Sequence, residues 1–217
     1  MKANLHKALE SFNQEILETV SKETEFKAIL FTLCYFHAVV TQRRKFGPQG
    51  WNKNYPFNHG DLSISVNILY NYLESNQTTV PWMNLSFLFG DIMYGGHITD
   101  DWDRRLCRAY LEKYMNPSML KGELYLAPGV PVPLSIDFKL FHNYVDEHIV
   151  SENTYLYGLH PNAEIDFLTA TALNLFRFVF ELQPKDVTLG KEGGCDAVQM
   201  KEDLVKKNFK SIRFLLS

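Results

Sequence analysis

Asp91-Ile-Met-Tyr-Gly-Gly-His-Ile-Thr-Asp-Asp-Trp-Asp-Arg-Arg105 closes one helix, turns on two glycines and opens the next. Upstream, Pro81 suits a first helical turn, and Leu85, Leu88, Phe89, Ile92 and Met93 recur at helical spacing. Gly95-Gly96 is expected to supply the left-handed residue that ends this helix. Downstream, Thr99 is expected to open the next one. Asp100, Asp101 and Asp103 crowd its positive end, Arg104, Arg105, Arg108 and Lys113 follow, and Trp102, Leu106 and Tyr110 form an apolar stripe.

The same periodicity extends outward in both directions. Leu5, Leu9, Phe12, Ile16 and Leu17 mark a leader helix, and a second helix runs from about Glu25 to Arg44. Being apolar all round, that second helix belongs at the centre of the fold, with Arg43, Arg44 and Lys45 facing its negative end. Gly47-Pro48 and Gly50 then break the chain, and residues 51–59 form an aromatic-rich loop. Asp61 is placed as the cap of a third helix with the stripe Leu62, Val66, Leu69 and Leu73. Gly122 to Pro133 reads as a connector with a strand at Glu123 to Leu126, followed by a short helix at Phe138 to Ile149. Asn162 is expected to cap a long amphipathic helix carrying Ile165, Leu168, Ala172, Leu175, Phe176, Val179 and Phe180, which stops before Pro184. Residues 185–196 read as flexible, and Met200 to Leu216 as a basic amphipathic segment. The fold class is therefore mainly α, a helical bundle with no internal repeat.

Composition bounds the function. The 217 residues carry 22 basic and 25 acidic side chains, a net charge of −3 that gives no field to attract nucleic acid or an anionic membrane. The apolar run Ala28 to Val40 is shorter than the roughly 20 residues that a membrane span needs. The first residues lack the apolar core of a secretion signal, so a cytosolic chain is expected. Cys34, Cys107 and Cys195 form no Cys-x-x-Cys pair and read as structural thiols.

Chemistry has few footholds. A phosphate cradle needs Gly-x-x-x-x-Gly-Lys-Ser/Thr after a strand, and that pattern does not occur. No cofactor is expected for the chain itself. His97 with Asp100, Asp101 and Asp103 could ligate a divalent ion, but first-turn acids offset the helix dipole without one, and Arg104 and Arg105 lie close enough to neutralise them. His160 with Asp166 suggests a general base, yet no nucleophile accompanies them and a capping histidine is the simpler reading. Trp51, Tyr55, Phe57, Tyr70 and Tyr72 lack the interleaved positive charge of a nucleic-acid surface, so they are expected in the core and in pinned loops.

The opening stretch, together with Arg43-Arg-Lys-Phe-Gly-Pro-Gln-Gly-Trp51 and Tyr155-Leu-Tyr-Gly-Leu-His-Pro-Asn-Ala-Glu-Ile-Asp-Phe-Leu168, resembles dynein heavy chains of the axonemal outer-arm type. That resemblance implies the lid of the sixth AAA+ module. Residues 1–22 would be the tail of its large subdomain, 23–162 the lid, and 163–217 the incomplete start of the C-terminal domain. It further implies a noncatalytic role, relaying rigid-body movements in the ATPase ring of a minus-end-directed microtubule motor of cilia and flagella, with ATP and Mg confined to the parent motor. The implied partners are the other AAA+ modules of the ring and, through the full complex, dynein intermediate and light chains; microtubules are reached only through the parent motor. His97, Asp100, Asp101, Asp103, Arg104 and Arg105 are the implied contact edge between modules. The implied location is the cytoplasm, at the cytoskeleton of the ciliary axoneme. The start at Met1 and the closing Asn208 to Ser217 depart from the family and suggest a fragment or a short product. An independent helical interaction module is the alternative reading, and a metal-dependent hydrolase built on His97 to Asp103 is a third.

Overall fold

The computed structural model describes residues 1–12, 20, 22–75, 79–134, 137–149 and 152–182. Two compact units divide the chain, Met1–Thr171 and Ala172–Ser217. In the first, α1 (Lys2–Leu9) and α2 (Glu23–Arg43) pack against each other, and α3 (His59–Ser75) lies against α2 as well. Every residue from Ala28 to Val40 is buried, so α2 is the central element its composition demands. Rings close the core around it: Phe31 meets Phe141 and Tyr144 edge-on, Tyr35 meets Tyr114, and Phe36 meets Tyr94 at 4.9 Å. The leader residues 13–19 lie outside the described residues, but Leu5, Leu9 and Phe12 are buried as their spacing predicts.

The next segment corrects three expectations. Asp61 does not cap α3; the helix starts at His59, and Asn58 Oδ1 accepts the Gly60 N–H at 2.7 Å in the capping role. Helix α4 (Trp82–Phe87) runs into a wide π-turn, Leu88–Met93, where the Tyr94 N–H reaches the Phe89 carbonyl at 3.0 Å. The extra residue shifts the helical phase, and Ile92, expected in the stripe, is half exposed while Phe89 is buried. Gly95 and Gly96 are not left-handed. Gly95 is needed for close approach instead, because a Cβ there would sit 2.1 Å from the Gly90 carbonyl oxygen.

Asp100, not Thr99, caps α5 (Asp101–Tyr114), accepting from the N–H groups of Trp102 at 2.9 Å and Asp103 at 3.1 Å. The buried face of α5 is Asp103, Cys107, Tyr110, Leu111 and Tyr114, which leaves the expected stripe member Trp102 71% exposed. The connector holds a two-stranded antiparallel hairpin, β1 (Tyr125–Ala127) and β2 (Val130–Pro131), where one strand at 123–126 was expected. Helix α6 (Phe141–His148) follows, and the Tyr144 hydroxyl donates to the Pro131 carbonyl at 2.6 Å, tying α6 to the hairpin.

Helix α7 spans Asn162–Leu182. Asn162 is its first residue rather than its cap, and His160 Nδ1 accepts the Asn162 N–H at 3.2 Å. The apolar side chains Ile165, Leu168, Leu175, Phe176 and Phe178 are exposed. The expectations for residues 185–196, for the basic segment 200–216 and for Cys195 fall outside the described residues. Among the described residues no helix is long and apolar enough to cross a membrane.

Candidate functional site

The six residues of the expected edge separate into groups that face inward and groups that face solvent. His97 Nε2 lies 2.9 Å from Asp61 Oδ1, with its ring edge-on to Phe57, so the imidazole ties the turn to the start of α3. Asp103 is 3% exposed and accepts three bonds: from the N–H of Asn52 at 3.1 Å, the N–H of Lys53 at 3.3 Å and the hydroxyl of Tyr55 at 2.7 Å. Burial, followed by that bond to Asp103, pushes the Tyr55 phenol up to about 12. Asp100, besides capping α5, accepts from Asn52 Nδ2 at 3.1 Å, and this bond is the largest cause holding its carboxyl below the usual range.

The arginines depart from expectation. Neither Arg104 nor Arg105 forms an ion pair with the first-turn acids among the described residues; Arg104 Nη2 donates to the Ile98 carbonyl at 2.7 Å, and Arg105 lies 5.1 Å above the Trp102 ring. Asp100 and Asp103 are engaged by backbone and side-chain donors, and a guanidinium can use a carbonyl or an aromatic face instead. The surface ion pair here is instead Arg108 with Asp91, across from α5 to the π-turn. What remains free to meet another body is therefore Asp101, Trp102 and Arg105.

No metal-binding constellation forms from these residues: His97 turns to Asp61, while Asp100 and Asp103 spend their oxygens on loop 52–55 and the helix start. His160 and Asp166 do not act together either, since His160 accepts from Asn162 and Asp166 accepts from Gln49 Nε2. The aromatic residues divide as core and pinned-loop groups, with Trp51, Tyr55 and Phe57 in mutual contact and buried. The Trp51 indole N–H donates to the Val40 carbonyl at 2.9 Å.

A further polar centre lies at the end of α2, where the sequence suggests only a charge opposing the helix dipole. Arg43 is 4% exposed and donates to the carbonyls of Gly50 at 3.0 Å and Tyr157 at 2.6 Å and to the Tyr110 hydroxyl at 2.7 Å. Its guanidinium also faces the Trp51 and Tyr110 rings at 5.7 and 5.4 Å. Burial lowers its pKa, and no carboxylate contacts it among the described residues; neutral carbonyls, a hydroxyl and ring faces surround the charge, with the Asp103 carboxylate favouring it from farther off. Gly158 closes the adjoining turn in the left-handed conformation, φ 61°, against the Tyr110 hydroxyl. The signal that could have found this centre is a basic residue continuing the buried face of an otherwise apolar helix, one turn after Val39 and Val40.

Two of the three sequence strings thus meet on Arg43, and the loop that follows the first is clasped by Asp103 of the other. The family model described as Dynein heavy chain AAA lid domain matches residues 26–163. The chain is 69% identical over 186 residues to the Dynein beta chain, ciliary, of Tripneustes gratilla, covering 86% of this chain and 4% of that protein. It is 63% identical over 194 residues to the mouse Dynein axonemal heavy chain 17, covering 89% of this chain and 4% of the relative. To the Dynein beta chain, flagellar outer arm, of Chlamydomonas reinhardtii it is 43% identical over 206 residues, again 4% of the relative. The chain thus spans only about one twenty-fifth of the length of these relatives.

Proposed function

This chain belongs to the dynein heavy chain family, and from that premise we propose that it is a noncatalytic, force-relaying segment of an axonemal motor. The lid takes residues 23–162, with 1–22 the tail of the preceding large subdomain and 163–217 the beginning of the C-terminal domain. ATP hydrolysis and Mg²⁺ belong to other modules of the motor, which moves toward microtubule minus ends. The partners of this segment are neighbouring AAA+ modules of the ring; intermediate and light chains join through the full complex, and microtubules are engaged only through the parent motor. Its place is the cytoplasm, on the cytoskeleton of the ciliary axoneme.

The observation that carries a mechanical reading is the double clasp around α2. Arg43 joins residues 50, 110 and 157 through buried hydrogen bonds, and Asp103 joins α5 to residues 52–55 through one buried and two partly buried ones. Packed cores switch between discrete arrangements rather than bending, so a body cross-tied in this way transmits a rotation applied at one edge to another. The outward part of the edge is Asp101, Trp102 and Arg105, an exposed indole stacked by a guanidinium, the residue types enriched where bodies dock. His97, Asp100, Asp103 and Arg104 hold that edge in place from behind.

The test replaces Arg105 by Glu and Trp102 by Ala in a full-length heavy chain. The ring is expected to assemble, while microtubule-stimulated ATPase and gliding velocity fall. Unchanged stimulation would refute the edge, and capture of dynein subunits by the isolated chain would favour the independent interaction module.

A further inference from the structure

Lys45 stands immediately after the Arg43 clasp, and its ammonium is enclosed in a way the mechanical reading does not use. Its Nζ lies 5.0 Å from the centre of the Phe46 ring, 5.4 Å from Tyr157 and 5.3 Å from Phe167. These rings wall one another at an angle: Phe46 is 5.5 Å from Tyr157 at 50° and 5.6 Å from Phe167 at 56°. The Glu152 carboxylate approaches through Oε2 at 3.5 Å, at the outer limit of a hydrogen bond. Its other oxygen faces the Met1 amine at 2.5 Å, and the Tyr157 hydroxyl is 3.4 Å from Oε2. A cleft of about 160 Å³ opens beside the head group, lined by Lys45, Phe46, Glu152, Tyr157, Phe167 and their neighbours, and Glu164 also lines it.

An ammonium carries three N–H donors, and ring faces serve those donors poorly. Three tilted rings and a stand-off carboxylate suit a methylated ammonium better, since it keeps the charge that the ring quadrupoles attract and has few or no N–H groups left to satisfy. The adjoining cleft supplies room for the added carbon. The geometry points to Lys45 as a site of Nε-methylation whose product is read by this chain's own cage of Phe46, Tyr157 and Phe167. Lys45 is 27% exposed and sits on a flexible stem, so its head can turn out through the cleft to a transferase and return.

The methyl donor is a sulfonium compound. Nζ first loses a proton to water, its lone pair attacks the methyl carbon, the carbon–sulfur bond breaks toward sulfur, and a neutral thioether leaves. Each round forms one N–C bond and preserves the positive charge. Acetylation at the same atom would remove the charge and with it the attraction to the rings. The modification would fasten residues 45–46 to 152–167, two segments already held together by the Arg43 bond to Tyr157.

Two measurements decide. The chain is isolated from its native cells after growth on methionine labelled with ¹³C in its methyl group, and the peptide bearing Lys45 is mapped by mass spectrometry. Heavy methyl groups on Lys45 are expected, whereas an unmodified or acetylated Lys45 overturns the proposal. Separately, the purified chain is reductively methylated with ¹³C-formaldehyde, and the Lys45 signal is identified by its loss in Lys45→Arg. That signal is expected to be displaced upfield by ring currents and to move back toward the other lysines in Phe167→Leu. A wild-type Lys45 signal coincident with the other lysines overturns the cage.

Discussion

Helices α2 and α7 have the same length, 21 residues, and both are rich in Phe and Leu, yet they end in opposite environments. Phe26, Phe31 and Phe36 of α2 have no exposed surface, whereas Phe176, Phe178 and Phe180 of α7 are 45%, 63% and 40% exposed. Part of the difference lies in the segments, since α2 is apolar all round and α7 is amphipathic, and part in what surrounds them. Around α2 the chain supplies α1, α3, α5 and the rings of Phe141, Tyr114 and Tyr94. On α7, Phe178 and Phe180 keep more than a third of their surface exposed. Apolar composition states what a helix requires; whether it is met depends on what the rest of the fold brings to it.

The sharpest way to break this contrast is truncation of one ring on each helix. Phe36→Ala removes a ring packed edge-on to Tyr94 and should cost about 4 kcal/mol in urea unfolding. A loss under about 1 kcal/mol would mean that the centre of α2 is far looser than its burial implies. The next effect is set by pH. His37 on α2 is buried against the Tyr94 hydroxyl at 3.0 Å, and burial is the largest cause lowering its pKa to about 4. Above pH 6.5 the ring is neutral in both folded and unfolded chains, and no penalty arises. Between 6.5 and 4 the unfolded chain binds the proton while the folded chain resists it, so stability falls with acidification by roughly 3 kcal/mol. The His37→Gln variant should flatten that window, and an unchanged slope in urea midpoints would show that another group is responsible.

A smaller loss tests the polar ties. Asp103→Ala strands the N–H groups of Asn52 and Lys53 and the Tyr55 hydroxyl, for about 2 kcal/mol, together with faster hydrogen exchange at residues 52 and 53. Exchange that stays slow there would mean that the loop is held by its aromatic packing alone. The smallest effect closes the comparison: Phe178→Ala on α7 should change the thermal midpoint by the equivalent of less than about 0.5 kcal/mol. A loss rivalling that of Phe36→Ala would show that the face is covered after all.

Local pattern made the helices legible. The stripe of Leu62, Val66, Leu69 and Leu73 is buried as its spacing requires, and α2 is central because it has no polar face to show to water. What the pattern could not show is long-range. Asp103 reads as one of three acids at a helix start, and only the return of residues 52–55 reveals it as a buried acceptor. Arg43 reads as a dipole partner until Tyr157 arrives from 114 positions away. The wide turn after Phe87 was hidden for a different reason: one residue more or less leaves the count of apolar side chains unchanged while moving the phase that decides which of them faces inward. Within the expected contact edge, nearness along the chain suggests acids as partners for Arg104 and Arg105, but Asp100 and Asp103 are engaged elsewhere and the two arginines turn to a carbonyl and a ring.

That wide turn also sets a tolerance. Deleting a single amino acid between Leu88 and Met93 would restore ordinary helical winding and swing Tyr94 by about 100° around the axis. The phenol would leave Phe36, His37 and Phe57 in one step. Substitutions in this stretch can be absorbed one side chain at a time, but a change in its length cannot, because the spacing itself is what aims Tyr94 into the centre.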